Sequence, residues 1–66
     1  MLSVYIATDD AGTVRYVGHT RNLARRSAEW AERGRTVREL FAIEDFETAL
    51  GVEQRVIEAF NDGRRL

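Results

Sequence analysis

The absence of cysteine constrains this 66-residue chain more than any other feature of its sequence. A domain of that length buries only about 60% of the surface its unfolded chain exposes. Small domains with thin cores often rely on disulfides or structural zinc. Here no disulfide and no cysteine-based zinc cluster can form, and one histidine cannot build a His-rich metal site. Stability must come from tight packing or from self-association. There is room for one domain, residues 1–66. Hydrophobic residues make up 44% of the chain and charged residues 32%, which fits a folded globular domain rather than a disordered tail.

No apolar run approaches the roughly 18 residues of a membrane span. The opening Met1-Leu2-Ser3-Val4-Tyr5-Ile6 lacks the basic flank of a secretory signal. The expectation is therefore a cytoplasmic protein without a membrane partner. The net charge of −1 hides a pattern, because all ten basic residues are arginine. Residues 15–38 hold seven arginines against Glu29 and Glu32, a net of +5. Residues 39–62 hold seven acids against Arg55, a net of −6. A basic segment followed by an acidic one suggests a local anion-facing surface; the plainer reading is two solvated, ion-paired helices.

Leu2, Val4 and Ile6 alternate with Ser3, Tyr5 and Ala7, which predicts a strand. Thr8 to Thr13 has turn chemistry, with Asp9, Asp10 and Gly12, and Val14 to Gly18 predicts a second strand. A four-residue loop over 9–12 would pair Tyr5 with Tyr16 and Ser3 with Gly18. One face then carries Ser3, Tyr5, Ala7, Val14, Tyr16 and Gly18, and the other carries Leu2, Val4, Ile6 and Val17 as the core face. Asn22 is a plausible N-cap for a helix over Leu23–Arg33 that Gly34 stops. Its inward stripe would be Leu23, Arg26/Ser27 and Trp30, with Arg25, Glu29 and Glu32 in water. Thr36–Ile43 predicts a third strand. Asp45 would cap a last helix from Phe46 to about Asn61, closed by Asp62-Gly63. The fold class is α+β: a small antiparallel three-stranded sheet flanked by helices, in the order β-β-α-β-α.

Two residues break the apolar stripes of these helices. Arg26 lies between Leu23 and Trp30, and Glu53 lies between Leu50 and Ile57. A charge withdrawn from water costs several kcal/mol unless it is paired or bound. The two could form one buried ion pair. Alternatively both could point into a pocket where the carboxylate holds a divalent cation and the guanidinium holds a phosphate. Tyr5 and Tyr16 would complete such a pocket, although a cross-strand tyrosine pair also stabilises a hairpin by itself.

Taken together, Ser3-Val4-Tyr5, Tyr16-Val17-Gly18-His19-Thr20, Asn22-Leu23, Arg26 and Glu53-Gln54 with Val56-Ile57 resemble the GIY-YIG nuclease family, and the small toxin-type members most of all. The resemblance covers nearly the whole chain, and its strongest part is the run from Tyr16 through Arg26. It implies a metal-dependent endonuclease that hydrolyses phosphodiester bonds of nucleic acid, DNA ahead of RNA, with Mg²⁺ or Mn²⁺ as cofactor. Carried over by resemblance, Tyr5 and Tyr16 take the family's tyrosine positions, Arg26 its catalytic arginine and Glu53 its metal-binding glutamate. His19 sits where a basic or polar residue often assists the tyrosine. Three positions depart from the pattern. Ser3 replaces a glycine, Trp30 stands one turn after the arginine where a histidine is frequent, and the chain ends at Leu66, where many members have a further asparagine near the active site.

On this basis Arg15, Arg21, Arg25, Arg33, Arg35 and Arg38 are candidates for the nucleic-acid backbone. A net charge near zero implies weak, salt-sensitive, non-specific affinity. Such a domain would reach its substrate through a homodimer, a partner or a fused targeting module. The competing expectation is a catalytically degenerate member that serves as a nucleic-acid-binding or assembly module.

Overall fold

The computed structural model describes residues 1–60 in full, and beyond them the course of the last helix as far as Arg65. The elements are strands β1 (Leu2–Thr8) and β2 (Val14–Thr20), helix α1 (Leu23–Ala31), strand β3 (Thr36–Ile43) and helix α2 (Phe46–Arg65). The predicted closure of α2 at Asp62-Gly63 lies outside the fully described residues. The sheet is antiparallel throughout, in the order β2-β1-β3. The α+β class and the β-β-α-β-α order are therefore as the sequence predicts. Among the described residues, no helix is long and apolar enough to cross a membrane.

Strand β1 lies in the middle, and its side chains are buried on both faces. Leu2, Val4 and Ile6 are buried, and so are Tyr5 and Ala7 between them. Leu2 and Val4 close against Ala49 of α2, with Ile43 and Val52 packed alongside. Alternation along the strands puts Tyr5 and Ala7 on the opposite face. There α1 supplies Trp30, whose ring lies against Tyr16. The expectation of a single core face is thus corrected: both faces of the central strand are covered.

The hairpin register is corrected as well. Ala7, not Tyr5, lies opposite Tyr16, while Tyr5 faces Gly18 and Ser3 faces Thr20. The cause lies in the turn. Asp9 N–H donates to the Thr13 carbonyl, and Gly12 N–H donates to the Asp9 carbonyl, with Gly12 at φ +82°. Asp9 Oδ1 accepts from both Ala11 N–H and Thr13 N–H at 3.0 Å. These bonds make a three-residue loop with a left-handed last residue, where glycine avoids steric strain. A register shift between Ala7 and Thr8 leaves Thr8 opposite Val14 and Ala7 opposite Tyr16. The net displacement is two residues, an even number, so the face assignments of Tyr5, Tyr16 and Gly18 survive.

Both predicted helix caps form. Asn22 Oδ1 accepts the Arg25 N–H, and Asp45 Oδ2 accepts both the N–H and the hydroxyl of Thr48. These two Thr48 bonds, hydroxyl first, hold the Asp45 carboxyl below the usual aspartate range. Helix α1 stops at Ala31, two residues short of the predicted Arg33. Gly34 and Arg35 N–H turn back onto the carbonyls of Ala31 and Trp30, with Gly34 at φ +75°.

Candidate active site

The tyrosines of the two hairpin strands meet on the α1 face of the sheet. Their ring centroids are 6.0 Å apart, and Tyr16 in turn lies 4.9 Å from Trp30. Tyr5 is only 1% exposed, and its hydroxyl accepts a hydrogen bond of 3.2 Å from the Trp30 indole N–H. Gly18 makes this arrangement possible. A Cβ at that position would stand 2.5 Å from the Tyr16 ring and 3.1 Å from the Tyr5 hydroxyl, inside normal contact distances. The glycine of the Tyr-Val-Gly run is thus demanded by packing, because two tyrosines occupy the space above it.

Burial pushes the Tyr5 hydroxyl above its ordinary pKa of 10. The Trp30 bond opposes that rise. Tyr16 adds to it, Arg26 again lowers it and Glu53 again raises it. Both candidate charged residues therefore act on the buried phenol. Neither outweighs desolvation, so Tyr5 keeps its proton at neutral pH.

On the α2 face, His19 lies opposite Val4 in the register. Its Nδ1 is 2.5 Å from Glu53 Oε2, and its ring meets Phe46 edge to face at 5.4 Å. The side chains are 27% and 16% exposed, so the pair is partly shielded yet reachable by water. With the proton on Nδ1, the imidazole donates to the carboxylate and leaves Nε2 as an acceptor, a tautomer inferred from that bond. Sequence reasoning gave these two residues separate roles. The tertiary structure joins them.

Arg26 does not pair with Glu53. Its Nε lies 3.2 Å from Glu29 Oε1, one turn along α1, and its side chain is 41% exposed. The expectation that Arg26 is withdrawn from water is corrected accordingly, and so is the alternative of a buried Arg26–Glu53 pair. The helix is short and buries none of its own residues, so a long side chain on its flank keeps its solvent. Arg26 lines an open groove of about 300 Å³ with Glu29, Trp30, Glu32 and Arg33.

The remaining arginines have varied surroundings. Arg15 is held by Asp9 at 2.9 Å and braces the hairpin turn. Arg25 lies 3.9 Å from Glu29. The Arg33 guanidinium sits over the Trp30 ring, 5.4 Å from its centroid. Arg21 and Arg38 are exposed, and Arg35 is half-buried. Trp30 is the site residue whose role the sequence left unread, although it stands one turn from Arg26 on the predicted inward stripe.

Among the described residues, no group of three or more His, Asp or Glu side chains could hold a metal ion. Glu53 with His19 is a pair. Hard divalent cations are commonly held by one or two carboxylates with water and substrate oxygens completing the shell. The His19 bond uses Oε2 of Glu53, so Oε1 is the oxygen left to meet a cation. No family model, curated protein or solved structure matches the chain.

Proposed function

We propose that this chain is a divalent-metal-dependent phosphodiesterase that cuts nucleic acid in the manner of the GIY-YIG nucleases it resembles. One observation carries the proposal. The buried Tyr5 hydroxyl rests over Gly18 beside Tyr16 and accepts from Trp30, which shares an open groove with Arg26. The residues then divide the work. Tyr5, protonated at neutral pH and 1% exposed, positions the Tyr16 and Trp30 rings, and the hydroxyl of the exposed Tyr16 orients the attacking water. His19 and Glu53 lie on the opposite face of the sheet, so His19, its ring oriented by Glu53, would have to meet that water around the edge strand β2 to accept its proton at Nε2. Water oxygen bonds to phosphorus as the bond to the 3′-oxygen breaks. Arg26 leaves Glu29 and neutralises the charge that develops on the phosphoryl oxygens. Glu53 would hold Mg²⁺ or Mn²⁺, and such an ion polarises the phosphoryl oxygen and stabilises the leaving oxygen.

The test is nicking of supercoiled plasmid, and cutting of a single-stranded DNA and of an RNA of similar length, with Mg²⁺ or Mn²⁺. Arg26→Ala and Glu53→Ala should each slow cutting on the order of 10²-fold or more. Equal cutting by both variants would remove the site from the reaction. A second reading has its own support: each charged residue already has a local partner, Arg26 in Glu29 and Glu53 in His19. A catalytically degenerate binding or assembly module would keep those pairs permanently. Absence of cutting by the wild type on either nucleic acid would favour it. In both cases we place the protein in the cytoplasm, working as a homodimer or beside a targeting module.

A further inference from the structure

We infer that the Tyr16–Trp30–Arg33 stack is a platform for an unpaired nucleobase, so that the substrate of the proposed nuclease is single-stranded nucleic acid. The inference rests on the functional reading above for the word substrate, but its geometry stands separately. Tyr16, 43% exposed, lies 4.9 Å from Trp30 with the rings tilted by 39°, and the Arg33 guanidinium covers the indole at 5.4 Å. Aromatic rings and a guanidinium gathered in this way offer a surface on which splayed bases settle, since both kinds of group accept a base face. The platform is also rigid. Trp30 is fixed by its bond to the buried Tyr5 hydroxyl, so little rotamer freedom is left for a ligand to freeze.

Arg33 is the exchangeable member of the stack. The residue is exposed, and among the described residues no carboxylate pairs with it. A base can take its place on the indole while the guanidinium moves to the adjoining phosphate. The groove beside the stack holds about 300 Å³, at the small end of ligand clefts, which suits one base and not a duplex. Its charges are balanced, Arg26 and Arg33 against Glu29 and Glu32, and Glu29 is also met by Arg25. Phosphate attraction alone would therefore hold a duplex poorly. A duplex also keeps its base faces stacked inside. An unpaired base offers the face that this surface lacks.

The chain has one tryptophan, so its fluorescence reports directly on the platform. With a chelator present to stop cutting, the full chain is titrated with a short single-stranded DNA, the matching RNA strand, the blunt DNA duplex and a mononucleotide. Quenching should reach half-saturation at a concentration at least tenfold lower for a single strand than for the duplex or the mononucleotide. In anisotropy with a labelled strand, Trp30→Ala and Arg33→Ala should each weaken binding on the order of tenfold. Trp30→Phe, which keeps a stacking face, should stay within about threefold. Circular dichroism checks the fold of each variant. If Trp30→Ala does not fold, Trp30→Phe and Arg33→Ala decide with the wild-type quenching. A duplex that quenches as tightly as a strand would overturn the platform, and so would strand binding that leaves Trp30 fluorescence unchanged. Tight quenching by the mononucleotide would assign the groove to free nucleotides and overturn it too. Strand-specific quenching without any cutting of plasmid, single-stranded DNA or RNA would sink the nuclease reading and leave the platform standing.

Discussion

On the α2 side of the sheet, Leu2 and Val4 close against Ala49, with Ile43 and Val52 at the margin. On the α1 side the buried groups are Tyr5 and Ala7, met by Trp30 from a nine-residue helix that buries none of its residues. The first face is aliphatic and interdigitated, with one polar pair, His19 and Glu53, at its edge. The second is aromatic, carries hydroxyl and indole N–H groups, and is only thinly covered. Apolar burial stabilises without regard to direction, so the aliphatic face can hold the fold. Aromatic groups with polar tips need particular partners when buried, and that makes the second face the better place for recognition. The proposed chemistry draws on both, with the phenols and guanidinium from one side and the imidazole–carboxylate pair from the other.

The contrast can be broken most directly at Leu2. Leu2→Ala should cost on the order of 2–5 kcal/mol in urea unfolding, enough to unfold much of so small a domain. Trp30→Phe, which removes the bond to Tyr5 but keeps an aromatic ring, should cost only about 1 kcal/mol. Equal losses at the two positions would mean that the α1 face carries as much of the fold as the α2 face.

A finer probe is Gly18→Ala. The new methyl would press on the Tyr16 ring and the Tyr5 hydroxyl, with an expected loss of about 1–3 kcal/mol for overpacking. Because Tyr16 is half-exposed, its ring can swing outward. The Tyr5–Tyr16 contact, followed by NMR of the ring protons, should then be lost before the fold is. An unchanged contact would show that Gly18 is not what seats the pair.

The smallest effect concerns alkaline pH. Tyr5 holds its proton more tightly folded than unfolded, chiefly through burial. Its contribution is therefore complete below the unfolded pKa of about 10 and is lost as pH rises through the higher folded value. Chemical denaturation between neutral and strongly alkaline pH should show stability falling above that point, and Tyr5→Phe should flatten the decline. A slope identical in Tyr5→Phe would assign alkaline loss to other groups.

Much of the fold was legible because it is local. Alternation over Leu2–Ala7, the caps Asn22 and Asp45, and Gly34 after the first helix all mark elements that form as marked. The central position of β1 was legible in hindsight. Val4-Tyr5-Ile6-Ala7 is a continuous apolar run, the pattern of a strand covered on both sides. The register was not legible. It depends on how one aspartate, Asp9, shares its carboxylate between two N–H groups, and on a bulge that no residue type announces. Within the candidate site, the charged residues breaking the stripes were visible in sequence, but their partners were not. Arg26 meets Glu29 on its own helix, whereas Glu53 meets His19, 34 positions away.

The sequence by itself determined which segments are strands and helices and which side chains share a sheet face. Those properties follow from backbone sterics and from a side-chain period of two, and an even slip in register leaves them intact. Only the tertiary structure decided that Trp30 holds Tyr5, that Gly18 must stay bare, and that His19 and Glu53 form a pair. Such contacts depend on distances of a few ångströms between separate elements, and packing in three dimensions sets those distances.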